Sequence, residues 1–103
     1  MAAFVLIFED DLSVPIQEQV GERHTQHFLA LGERAILGGP TFGEDKEVNG
    51  RLLVADFASL EEARAWARAE PLVQSGRVLR WRATAMTIVQ QMGAYVPMEG
   101  HGR

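Results

Sequence analysis

Patterned hydrophobic segments follow one another along this chain in the order strand, helix, strand, strand, helix, strand, and that order leaves few folds open. Residues 3–8 form a continuous apolar run with Phe4, Val5 and Ile7, short enough for a strand buried on both faces. Ser13 is a suitable N-cap, and Pro15 fits a first helical turn, where its missing N–H has no intrahelical partner. From that start Ile16, Val20, His24, Phe28 and Leu31 recur at helical spacing, while Gln17, Glu18, Glu22 and Gln26 fall elsewhere on the wheel. The first helix is expected to be amphipathic, with a histidine at the centre of its apolar stripe.

Ala35-Ile36-Leu37 reads as a short second strand that stops at Gly38-Gly39-Pro40, where glycine frees the backbone and proline removes a ladder donor. Residues 41–50 are polar, carry little periodicity and are expected to form a solvated loop. Residues 51–57 then supply a third strand with Leu53, Ala55 and Phe57 on one face. Ser59 and Glu62 make a capping box that opens a second helix, whose buried stripe is Leu60, Ala63, Trp66 and Ala67. That helix ends near Glu70, because Pro71 disfavours helical geometry in the residue before it. Residues 72–76 read as a turn and residues 77–86 as a fourth strand. Right-handed crossovers place both helices on one face of a four-stranded antiparallel sheet, which is the α+β, ferredoxin-like βαββαβ arrangement.

A chain of 103 residues suits one such domain, expected over residues 1–90, with a tail from residue 91 to residue 103. So small a domain gains stability by covering its second sheet face with another copy, so a homodimer is expected. The net charge of −4 does not suit binding to nucleic acid, which calls for a concentrated basic face. There is no cysteine, hence no disulfide framework or thiolate nucleophile; this agrees with a reducing compartment, and the cytoplasm is the expected location. The opening apolar run is too short for a membrane span, and no membrane association is expected.

Chemistry has few candidate carriers. His101 lies in the Gly-rich tail. His24 and His27 are three apart on one helix, where their rings can converge and, with a nearby carboxylate, hold a divalent metal; without a defined third ligand the signal is weak, and no metal or other cofactor is expected. His24 is the candidate general acid/base, because a titratable ring within an apolar stripe is partly dehydrated and sensitive to one nearby charge. The alternative is a core histidine satisfied by a backbone carbonyl. Glu70 is the candidate partner, held in extended geometry by Pro71; the alternative there is a solvated side chain. Arg23, Arg80 and Arg82 are candidate anion-attracting groups.

Arg23-His24, Gly38-Gly39-Pro40, the entry Phe57-Ala58-Ser59-Leu60-Glu61-Glu62-Ala63, Ala65-Trp66-Ala67 and Glu70-Pro71-Leu72 together resemble the YCII-related family over most of residues 3–86. The resemblance implies a dimeric α+β barrel, with a His–acid catalytic dyad that maps to His24 and Glu70. It also directs attention to Arg23, Gly39 and Pro40 as substrate-binding positions. Family members usually have Asp-Pro-Tyr where this chain has Glu70-Pro71-Leu72, so the acid is one methylene longer and a hydroxyl donor is lost. The stretch from His24 to Pro40 is also about two residues shorter than in typical relatives. The family includes a dehydrochlorinase of chlorinated aromatic breakdown, and the expected activity is proton transfer, in elimination or isomerisation, on a small anionic or aromatic molecule. The competing expectation is a non-catalytic dimer that binds a metabolite or a partner protein.

Overall fold

The computed structural model describes residues 2–95. Its main sheet contains β1 (Ala2–Asp10), β2 (Ala35–Phe42), β3 (Val48–Ala55) and β4 (Val78–Thr87), in the antiparallel order β2-β3-β1-β4. Helix α1 (Glu18–Leu29) connects β1 to β2, and α2 (Leu60–Arg68) with the short α3 (Pro71–Gln74) connects β3 to β4. This is the expected ferredoxin-like topology.

Strand alternation decides which side chains meet the helices. Leu6 and Phe8 of β1, Leu53 and Ala55 of β3, and Ala63 and Ala67 of α2 are buried in one cluster, packed by Phe28, Trp66, Trp81 and Ala83. Burying side chains the size of Leu6 or Phe8 contributes about 1.5–3 kcal/mol each. The opposite sheet face is less covered than a strand buried on both sides would require. There Val5, Ile36 and Leu52 are half-buried around Ala3, Val54 and Ile88.

Several boundaries differ from the sequence reading. Helix α1 starts at Glu18, because the side chain and backbone N–H of Ser13 are both turned back onto Asp11 Oδ1, at 2.6 and 3.0 Å, which makes a local turn instead of a cap. Strand β2 continues through Pro40 to Phe42; it is an edge strand, where proline withholds no hydrogen bond from a neighbour. The solvated loop is correspondingly shorter, since Val48, Asn49 and Gly50 already belong to β3. Residues 71–74 form a helical turn with Pro71 at its first position, where a missing N–H costs nothing. After β4, β5 (Gln90–Gln91) and β6 (Ala94–Tyr95) pair across Met92 and Gly93, both at positive φ, as a two-residue primed turn requires. The rest of the expected tail, residues 96–103 with His101, lies outside the described residues. No helix among the described residues is long and apolar enough to cross a membrane.

Gly50 shows how closely β1 and β3 approach: a Cβ there would lie 2.0 Å from the Phe8 carbonyl oxygen. The start of α2 is also tightly specified. Ser59 Oγ accepts from the Glu62 N–H at 3.1 Å, and Glu62 Oε2 accepts from the Ala58 N–H at 2.8 Å. A serine cap of this kind is worth about 1 kcal/mol. The Ala58 N–H, then the Arg34 guanidinium, hold the Glu62 carboxyl below its ordinary value of 4.5, against a small opposing effect of burial.

A carboxyl depressed in the folded state stabilises the fold above its unfolded value and loses that contribution as pH falls through its folded value. Urea denaturation of wild type and Glu62→Gln is therefore expected to give its largest stability difference at neutral pH. The two curves should converge as pH is lowered from 4.5 downward; a difference independent of pH would exclude this role for the carboxylate.

Candidate active site

The site begins with the way α3 is started. Glu70 is its N-cap, with φ −64° and ψ 125°, and its Oε1 accepts from the Leu72 N–H at 3.2 Å. Extended geometry at residue 70 follows from Pro71, whose ring excludes a helical conformation in the residue before it. Helix α3 packs beside α1, so the capping carboxylate is carried to the face of α1 that bears His24. His24 Nδ1 lies 2.7 Å from Glu70 Oε1. The Glu70 side chain is completely buried, and its Oε2 has no hydrogen-bond partner among the described residues.

This pairing defines the imidazole. With Nδ1–H donating to the carboxylate, the neutral ring keeps its lone pair on Nε2, which makes no hydrogen bond to any described residue. The ring rests against Phe28, with centroids 4.7 Å apart and an edge-to-face tilt, so its orientation is set by packing as well as by charge. His24 is not a histidine sealed by a backbone carbonyl: its side chain is 23 % exposed and its partner is a carboxylate.

The exposed part of His24 belongs to a cavity of about 660 Å³ between α1 and the β2–β3 side of the sheet. Its wall includes Phe28, Gly38, Gly39, Pro40, Leu53 and Leu72. Gly39 and Pro40 thus lie at the cavity with His24, whereas Arg23 is exposed and does not line it. Arg80 and Arg82 are exposed on the other face of the sheet, where Arg80 pairs with Glu9 at 3.0 Å.

His27 is turned the other way. Its ring stacks on Trp66 with centroids 4.3 Å apart, and Nε2–H donates to the Trp66 carbonyl at 3.0 Å. The two histidines do not converge, and the described residues contain no group of three or more His, Asp or Glu placed to hold a metal ion.

Sequence reasoning missed a second buried polar group. Arg51 lines the cavity and is locked by Asp10 through two parallel bonds, NH1 to Oδ1 at 3.0 Å and NH2 to Oδ2 at 2.7 Å. Arg77 Nε donates to the same Oδ2 at 3.1 Å, and its NH1 to the Val14 carbonyl. A bulge at the end of β1, where the pairing shifts between Glu9 and Asp10, brings the start of β4 beside Asp10. The available signal was an arginine at an inward position of β3: Arg51, Leu53 and Ala55 share one face, and an inward arginine calls for an acidic partner.

The structure thus combines a small α+β domain with a buried acid–histidine pair beside a largely apolar cavity. Residues 16–87 match the YCII-related domain, more than half of the chain, and the chain belongs to that family. No curated protein sequence matches significantly. Among solved structures, 5-chloro-2-hydroxyhydroquinone dehydrochlorinase (TftG) from Burkholderia phenoliruptrix, in complex with 2,5-dihydroxybenzoquinone, is similar with a TM-score of 0.62 and 20 % identity. The match covers 82 % of this chain and 91 % of that one. A transcriptional regulator from Neisseria meningitidis in complex with L-methionine gives a TM-score of 0.51 at 12 % identity, over 95 % of this chain and 56 % of the regulator. At these identities the likenesses establish the shared fold.

The geometry fixes opposite tautomers on one helix. At a pH where both rings are neutral, long-range ¹H–¹⁵N correlation spectra are expected to show His24 protonated on Nδ1 and His27 on Nε2. An Nε2-protonated His24 would contradict the arrangement described here.

Proposed function

We propose that this protein is a small enzyme in which His24, oriented by Glu70, transfers a proton during elimination or isomerisation of a small aromatic or anionic molecule. The observation that carries this reading is the 2.7 Å pairing of His24 Nδ1 with a fully buried carboxylate, on a histidine that lines a cavity and whose other nitrogen bonds to no described residue. A base so arranged can take a proton on Nε2, and Glu70 then stabilises the imidazolium that forms. In an elimination, the C–H bonding pair becomes the new π bond and the leaving group departs with its own bonding pair. The proton on Nε2 passes to solvent. In an isomerisation the same proton returns to a different carbon.

The extra methylene of Glu70 relative to aspartate does not stand in the way, since the longer acid reaches the ring while also capping α3. Leu72, where relatives carry a hydroxyl, contributes an apolar surface to the cavity instead. The reaction of the dehydrochlorinase that shares this fold makes chlorinated hydroquinones the first substrates to try. We also take the working unit to be a homodimer joined through the half-covered sheet face around Val5, Ile36 and Leu52, because a domain this small gains stability when a second copy covers such a face.

Against chlorinated hydroquinones and related small acids, His24→Asn is expected to lose on the order of 10²–10⁴-fold in turnover while binding is kept, because asparagine preserves a hydrogen bond but cannot carry the proton. Glu70→Gln is expected to fold and to lower turnover as well. Undiminished turnover in His24→Asn would eliminate the acid/base reading and leave a ligand-binding dimer. Light scattering at micromolar concentration is expected to give twice the chain mass of 11.4 kDa; a monomer mass would exclude the dimer.

A further inference from the structure

We propose that Arg51 is the anion-recognition residue of this cavity, and that the ligand presents an anionic oxygen, a phenolate, enolate or carboxylate, to its guanidinium. The inference rests on the reading of the cavity as the substrate site and adds to it the charge of the ligand and the residue that reads it.

Arg51 is 6 % exposed, and what it touches is protein on one side and the cavity on the other. Of its five N–H donors, two are spent on Asp10, and among the described residues the others have no hydrogen-bond partner. Its position is fixed from the backbone upward. It sits on β3 between Phe8 of β1 and Pro40 of β2, on the same sheet face as Leu53, so its side chain is directed under α1. Asp10 grips it in the bidentate geometry that restrains a guanidinium most firmly.

Asp10 carries one negative charge, and both Arg51 and Arg77 bond to it, so this group taken out of water is one positive charge in excess. Asp11 feels the field of Arg77, but it is solvated and bonded to Ser13. Arg77 also places NH1 on the Val14 carbonyl, away from Asp10, while Arg51 faces the cavity. The same cavity is lined by His24, whose buried partner Glu70 carries the balancing negative charge but turns it to His24 Nδ1 and the Leu72 N–H, so the positive charge is local to the Arg51 side, where an anion in the cavity is stabilised. A guanidinium held still by its partner gives such an anion strong, directional bonds at little cost in side-chain entropy. Exposed Arg23, Arg80 and Arg82 meet none of these conditions.

The test is titration calorimetry on the full-length protein with two probes of similar shape: 2,5-dihydroxybenzoquinone, anionic at neutral pH, and 2,5-dimethoxybenzoquinone, which is neutral. Wild type and His24→Asn are expected to bind the anion at least about tenfold more tightly than the neutral probe, the size of one good charged hydrogen bond. Arg51→Met is expected to lose that preference and Arg51→Lys to keep part of it. Asp10 retains Arg77 in both variants, so no buried carboxylate is stranded. Should Arg51→Met fail to fold, the Arg51 Nε–H resonance of wild type decides: it is expected to shift with the anion and not with the neutral probe. Equal binding of the two probes, absence of binding by either, a preference that survives Arg51→Met, or an unmoved Arg51 resonance would overturn the proposal. A charge preference seen without His24-dependent turnover would instead overturn the proton-transfer reading alone.

Discussion

A carboxylate taken fully out of water must be held by hydrogen bonds or it destabilises the fold by several kcal/mol. Glu70 meets this requirement with one oxygen, which accepts both the first free N–H of α3 and the Nδ1 proton of His24. The two bonds tie together three levels of structure: a proline that forces an extended residue, a helix start that needs an acceptor, and a second helix that supplies a ring. Truncating the Glu70 side chain would take away both the acceptor that starts α3 and the partner that orients the imidazole, so site and fold share one interaction. The unpaired Oε2 is the remaining cost of the arrangement.

A second buried polar group, Asp10 with Arg51 and Arg77, ties β1, β3 and the start of β4 together on the same side of the sheet. Both groups are built from element ends, where backbone irregularity turns a side chain inward: the bulge at Glu9–Asp10 for one, the Glu70-Pro71 corner for the other. The surrounding wall is apolar, with Phe28, Leu53 and Leu72, and it strengthens any charge interaction made inside it by excluding water.

How much of this was legible in the sequence follows from the range of each interaction. The βαββαβ order was readable because strand and helix periods are local, and so was the Ser59 cap, whose partners lie within four residues. The start of α1 was misplaced because Ser13 had two local options, a cap or a turn with Asp11, and the choice depends on energies that pattern does not carry. Glu70 could be suspected from the family likeness, but its burial depends on α3 docking against α1, 46 residues away from His24 in the chain. Arg51 was hidden for the same reason: its partner Asp10 is 41 residues distant. Distant ion pairs leave little periodic trace, and both buried pairs at this cavity are of that kind.

The absence of a side chain at Gly50 has a consequence for how this fold can vary. With the Phe8 carbonyl where a Cβ would stand, any other residue there would push β3 away from β1 immediately before Arg51. The displacement would act as a lever on the bond between Arg51 and Asp10, one residue and one strand away. The close approach of two backbones at position 50 thus fixes where the guanidinium of the next residue stands, so a feature with no side chain of its own sets the placement of the cavity's buried arginine.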